Sequence, residues 1–245
     1  MNSTISEFCK LKLEIRDFLN QTSNYIEINE QQIKDMVNQS HYTVNHEGDS
    51  YDFYGMEKES YWFPITLRNS VFVTLYGFFE HILIKICNTL YTMRGISMSV
   101  ESFFNNKQNT GSTIVKASNY ILNVATTYFP DQLPEWTHMK NCAVLRNSIV
   151  HNFAKNNDRV KLLLPMSGIT TEIKDITNEV LDFDYMGEAH GVSQLNFENS
   201  FFLLSSFSKE FLNSFATLMN KFFLVNASLL DGKHDEKLAS FNFTV

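Results

Sequence analysis

The sequence predicts a mainly α fold: a helical bundle of five to six helices with a small β insertion near residues 159–195. Three observations predict it. Apolar residues recur with a 3.6-residue period over long stretches. Proline and glycine, which punctuate strand-and-turn folds, number only 4 and 9 in 245 residues. Strand-like texture is concentrated in one segment after residue 158. Hydrophobic residues make up 44% of the chain and 22 of them are Phe, which is ample for a core. Residues 1–245 read as a single helical domain.

The first segment, 1–45, is a long helix over about residues 3–40. Phe8, Leu11, Ile15, Phe18, Ile26, Ile33 and Met36 keep the period, with Thr22 and Asn29 filling the gaps. That is one narrow apolar stripe on a polar helix, which packs on one side only. Residues 41–62 break the pattern; His46, Gly48, Asp49 and Asp52 mark a loop, pinned by Tyr51, Phe53 and Tyr54.

Residues 64–157 hold the core helices. Pro64 suits the first turn of a helix that runs to about Met93. It is apolar on more than one face, so it is the most buried helix. Glu80 lies in its middle, and a buried carboxylate needs a partner. A short helix over 100–106 and a fourth over 112–129 follow. Asp131 caps a fifth, with Pro134 and Glu135 in its first turn, running to about Asn157.

The texture then changes. Val160–Leu164 and Val180–Tyr185 read as short strands within the 159–195 insertion, with a turn at Pro165–Gly168. A closing helix over 196–227 carries a stripe of Phe197, Phe201, Leu204, Phe207, Phe211, Phe215, Leu218 and Phe222. The tail, 228–245, has no periodicity, and its end is expected to fray.

The net charge of −7 argues against a general nucleic-acid binder. Its distribution is uneven. Residues 138–161 carry Lys140, Arg146, Lys155, Arg159 and Lys161 against Asp158 alone, whereas residues 1–62 hold eleven acids against five bases. A basic patch in an acidic molecule draws in a phosphate without making the whole surface sticky. It also reads as a solvated helix end, where the dipole favours Lys and Arg.

Cys9, Cys87 and Cys142 are far apart and form no disulfide framework, which suits a reducing cytoplasm. The N-terminus has no continuous apolar core, so no signal peptide is expected. The apolar stretches Val71–Leu90 and Phe201–Val225 contain Glu80, His81, Lys85 and Lys209, Glu210, Lys221, so neither reads as a membrane span. There is no H-E-x-x-H, no Cys/His pair, no Gly-rich phosphate loop and no G-x-S-x-G. No metal and no cofactor are expected.

The chemistry concentrates in Asn141–Asn157. Cys142, Leu145, Ile149 and Phe153 make an apolar stripe at three- and four-residue spacing. Asn147 and His151, four apart, stack on another face. Arg146 lies on the shoulder between. Arg offers a fork of donors suited to a phosphate, and the imidazole is the side chain suited to proton transfer near neutrality. Glu80 could orient Arg146 from a facing helix, or form a structural ion pair with Lys85 or Arg146.

The pattern Arg146-Asn147-x-x-x-His151 resembles the R-x4–6-H motif of the HEPN superfamily, including the polar residue after the Arg. Its setting, late in a long helix and followed by Asn152, is similar too. A branch of that family has Tyr two residues after the His; this chain has Phe153. The resemblance covers about residues 64–157 and the late helix. It implies an all-α, metal-independent endoribonuclease of the kind found in toxin–antitoxin and phage-defence systems. His151 would move protons, Arg146 would hold the non-bridging oxygens, and Asn147 would orient the phosphate or His151, with Glu80 and Asn152 in support. Such proteins act on RNA as homodimers whose two motifs meet across a two-fold axis, and an antitoxin or other defence-system protein would be a further partner. The alternative is a non-catalytic HEPN-like helical module that binds a protein partner through its long first helix, its acidic N-terminal third and the β insertion.

Overall fold

A computed structural model describes residues 7–39, 41–46, 49–54, 58–152, 154–155, 157–171, 200–227 and 242–243. The fold is mainly α. In chain order the elements are α1 (Glu7–Gln39), strands β1 (His41–His46) and β2 (Asp49–Tyr54), and α2 (Lys58–Arg94). Next come α3 (Val100–Asn105), α4 (Thr113–Asn119, continued by a π-helical turn over Tyr120–Val124), α5 (Pro134–Asn152) and α6 (Asp158–Lys161). Strands β3 (Ile169–Thr170) and β4 (Phe202–Leu203) and helix α7 (Ser205–Val225) complete the described set. The residues divide into two compact units. The first comprises Met1–Ser23, Thr74–Ala143 and Phe211–Val245; the second, Asn24–Val73 and Val144–Glu210. Helices α1, α2, α5 and α7 each contribute to both.

The first unit is built on aromatic packing between α2 and α7. Phe79 meets Phe211 and Phe215 edge-on, with ring centroids 6.3 and 5.0 Å apart. Such pairs add to the burial of their large apolar area. From α1, Phe8, Leu11, Ile15 and Leu19 are buried, while Phe18 is half-buried and stacks on Phe78. Lys85 pairs with Glu14 of α1. Cys87 is buried with its Sγ 3.5 Å from the Ala117 carbonyl, and burial pushes its thiol up to about 12. The fourth helix ends earlier than its sequence suggests. After the π turn, Arg94 Nη1 donates to the Ala125 carbonyl at 2.5 Å and Thr126 turns to a positive φ of 47°, which stops the helix.

The second unit holds the two small sheets. β1 and β2 pair antiparallel, His41 opposite Tyr54, where the sequence pointed to a loop. The strand formers Tyr42, Val44, Tyr51 and Phe53 outweigh the turn residues around them. β3 and β4 pair antiparallel, Ile169 opposite Leu203. β4 therefore takes Phe202 and Leu203 out of the closing helix, which begins at Ser205. The expected strand at Val160–Leu164 is instead α6 and a following turn. Asn157 Oδ1 accepts the Arg159 and Val160 amides at 3.0 Å, a side-chain cap that starts a helix. Only Val160 of that run is fully buried, while Leu162 is 80% exposed, so no alternation supports a strand. The turn at Pro165–Gly168 is present. The expected strand Val180–Tyr185 and Phe197 lie outside the described residues.

Two further differences concern helix starts. α2 begins at Lys58, so Pro64 lies inside it and withholds one backbone bond. Asp131 sits in a turn, its amide donating to the Phe129 carbonyl at 2.9 Å, and α5 starts at Pro134.

A buried ion pair ties α1 to α2 in the second unit. Arg68, 4% exposed, donates through Nε and Nη2 to both carboxylate oxygens of Glu30 at 2.9 and 2.5 Å. The fork-on-fork geometry is the strong form of this contact. Removing one partner strands the other charge, so Arg68→Met should lower stability by about 3–5 kcal/mol in urea unfolding, while Arg68→Met with Glu30→Met should regain most of it. Gly168 gives a second test. Its φ is +74°, and a Cβ there would lie 2.7 Å from the Phe207 amide nitrogen. Gly168→Ala should cost more than about 1 kcal/mol by the same measurement.

Candidate active site

Helix α5 changes its buried face along its length. Trp136, Met139, Cys142 and Ala143 are buried in its first part, in the first unit, and Leu145 and Ser148 in its second part, in the second unit. Ile149, expected in the apolar stripe, is only half-buried, and Ser148 takes the core position at 2% exposure. Phe153 lies outside the described residues.

Asn147 and His151 are both exposed, one turn apart on one face of α5. Arg146 is half-buried on the shoulder, as its spacing implied. Its Nη1 donates to Asn147 Oδ1 at 3.0 Å. Its Nε is buried with no hydrogen-bond partner. Among the described residues no carboxylate forms an ion pair with Arg146. A guanidinium held by a neighbouring amide and left without an acid keeps donors available for an anion.

The turn that carries His151 is fixed by the way α5 stops. Ala154 adopts a positive φ of 58°, and its amide donates back to the Ser148 carbonyl at 3.1 Å. That six-residue return closes a helix end and satisfies one of its last carbonyls. Ser148 Oγ donates to the Lys155 carbonyl at 2.8 Å. The Phe201 amide donates to the Ala154 carbonyl at 3.0 Å, and Lys155 bridges antiparallel to Ser200. The helix end is thus bound from within by Ser148 and from outside by the strand leading into β4.

Three more bases follow the motif. Lys155, Arg159 and Lys161 are exposed, and Lys161 lies 3.8 Å from Asp158. Asn152 is the last residue of α5, and its side chain lies outside the described residues. Glu80 is half-buried in α2 and belongs to the first unit, whereas Arg146 belongs to the second. Among the described residues there is no group of three or more His, Cys, Asp and Glu side chains placed to hold a metal ion.

Ser148 is the site residue that periodicity misses. A small hydroxyl two residues after Arg146 reads as a neutral spacer. The usable signal is a Ser on the core side of a helix's last turns, where its hydroxyl bonds a nearby carbonyl.

No protein-family model, no curated protein and no solved structure matches the chain.

Ser148→Ala removes the bond that holds Lys155. The expected cost is about 1–3 kcal/mol, because the Lys155 carbonyl loses its donor beside a buried side chain. It should appear in thermal unfolding. Amide exchange should rise at Ala154 and Lys155 ahead of the rest of α5.

Proposed function

We propose that the protein is a metal-independent endoribonuclease of the HEPN type, acting in the cytoplasm as a toxin or phage-defence effector. The observation that carries this reading is the Arg146–Asn147–His151 turn. Arg146, its guanidinium tied to the Asn147 amide and paired with no acid among the described residues, precedes the exposed His151 by five residues on the same helix.

RNA cleavage of this kind uses the substrate's 2′-OH as nucleophile. The reaction needs a base for that proton, an acid for the leaving 5′-oxygen and positive charge on the developing phosphorane. Arg146 holds the non-bridging oxygens. Asn147 aligns the guanidinium, and Asn152 supports the turn. His151 serves one proton transfer. A second imidazole comes from a second copy in a homodimer with the two motifs in one groove. The exposed Lys155 and Arg159 add attraction for the RNA backbone. A protein inhibitor of the antitoxin type is the partner this activity calls for. The products carry 2′,3′-cyclic phosphate ends.

One observation favours the second reading, a non-catalytic module that binds a protein. Tyr25 and Ile28 of α1 are 51% and 55% exposed on a helix otherwise polar on that side.

The two readings separate on labelled RNA incubated with pure protein in EDTA. His151→Ala should lower the cleavage rate by roughly 10²–10⁴-fold while costing under about 1 kcal/mol of stability, as exposed changes do. Arg146→Lys keeps the charge and loses the planar fork, so it should also lose cleavage. If wild-type protein leaves RNA intact, or both variants cleave as well as it does, the nuclease reading is dead.

A further inference from the structure

A groove of about 560 Å³ runs between α1 and α2 in the first unit. Lys10, Leu13, Glu14, Asp17, Phe18 and Gln21 line it from α1, and Phe78 lines it from α2. The α1 residues recur every three or four positions, so they form one face of the helix. Lys10 to Gln21 covers roughly 16 Å of helix, about three turns. The apolar part is aromatic: Phe18 and Phe78 are half-buried and stack with centroids 3.4 Å apart. Gly77 precedes Phe78 on the exposed side of α2. A Cβ at Gly77 would meet nothing within 4 Å, and its φ is not in the left-handed region. Glycine destabilises a helix interior, and here neither the backbone nor any close neighbour calls for it. The approach of a second molecule's backbone would account for it.

Charge along the groove is ordered. Lys10 and Asp17 are 52% and 55% exposed, each beside a neighbour on its own helix, Glu7 and Arg16. Such exposed pairs are weak and change partners readily. Between them Glu14 pairs with Lys85 of α2. Taken with Lys85, the lining holds two bases and two acids, on a chain of net charge −7. A balanced patch gives a strongly acidic or basic partner little to read, and it lets two copies of an acidic chain meet without strong repulsion.

We propose that this groove is a self-association surface, occupied by α1 of a second copy laid antiparallel. About a two-fold axis between Leu13 and Glu14, Lys10 of each copy faces Asp17 of the other. Leu13 and Phe18 of both copies close over the centre, and Gly77 admits the second helix beside Phe78. The apolar contacts supply the affinity. The two Lys10–Asp17 contacts set direction and register. A contact of this kind uses the same patch on both copies and closes on itself. The surface lies in the first unit and does not rest on the Arg146 and His151 reading.

A mixed disulfide tests the proposal on full-length protein. The three native cysteines are buried, so an introduced surface thiol reacts alone. Lys10→Cys chains mixed with Asp17→Cys chains should form a linked dimer at least about tenfold faster than either variant by itself. The mixed pair keeps one Lys10–Asp17 contact, and each variant by itself keeps none. Light scattering alone would not separate this contact from a dimer through α5, whereas the position of the disulfide does. In sedimentation, Lys10→Asp or Asp17→Lys should each weaken self-association, and the two together should restore it. Gly77→Gln places its side chain in open space, so the chain should stay folded and the mixed disulfide should be lost. A mixture that links no faster than the separate variants, association that ignores the charge reversals, or linkage that survives Gly77→Gln would overturn the proposal. A chain that stays monomeric at high micromolar concentration overturns it too, and leaves the groove to a different molecule.

Discussion

The candidate site depends on how one helix ends. An α-helix leaves its last carbonyls without partners, and something must satisfy them or the last turn frays. Helix α5 solves this with its own buried serine, a left-handed alanine and a strand from elsewhere in the chain. Ser148 binds the Lys155 carbonyl, Ala154 binds back to Ser148, and Phe201 binds Ala154. Left-handed backbone at a non-glycine residue costs of order 1 kcal/mol or more, and here it is outweighed by the bonds on either side of it. His151 rides on this turn. The clasp fixes the turn that carries it, so an exposed imidazole acquires a defined place without being buried.

The clasp in turn leans on the rest of the second unit. The strand that supplies Phe201 continues into β4, where Phe202 and Leu203 are buried and pair with β3. The Leu204 amide donates to the Gly168 carbonyl at 2.8 Å, and Gly168 closes on Phe207 where no side chain fits. Phe207 packs edge-on against Phe72, 5.1 Å between centroids. Phe72 stands one turn from Arg68, whose forked bond to Glu30 ties α2 to α1. A buried ion pair of this kind adds little net stability over an apolar pair. It does fix which residues of the two helices face each other, because a shift by one residue would strand a charge.

Much of this was legible from spacing, and the misses share a cause. The long helices were readable because each repeats its period many times; Thr22 and Asn29, read as gap-fillers in the stripe of α1, are indeed buried, at 9% and 5%. What failed were segments whose structure is decided by a distant partner. Val160–Leu164 has strand-like composition, but the cap from Asn157 starts a helix there. Phe201 and Leu204 continue the phenylalanine period of α7 backwards, but their backbone is claimed by Ala154 and Gly168. Phe243 has no pattern around it, and its backbone is held by Asn220, 23 residues earlier. The Arg68–Glu30 pair is 38 residues apart and invisible to any local window. At the site, Arg146, Asn147 and His151 were legible because they follow from helix geometry alone. Ser148 was not, because α5 buries different faces in its two halves. A single stripe drawn through Cys142, Leu145 and Ile149 averages over that change.

The same change of face bears on why Arg146 sits where it does. A helix that buries one face throughout leaves its shoulder residues exposed, and a long side chain there lies over solvent. Where the buried face turns, a shoulder residue is partly covered. Arg146 is in that position: half-buried, with Nε out of water and Nη1 on Asn147. Covering a guanidinium that pairs with no carboxylate among the described residues carries a desolvation cost. Replacing Arg146 by an uncharged residue would remove that cost, so stability alone gives no reason for an Arg here. Unsatisfied polar groups of this kind call for a cause outside packing. On the proposed reading an anion on the open side of the guanidinium would supply one, and His151, five residues on, would act on whatever brings that anion. On that reading the partial burial and the proposed chemistry would be two aspects of one arrangement, since a guanidinium with few water contacts binds a phosphate more strongly than a fully solvated one.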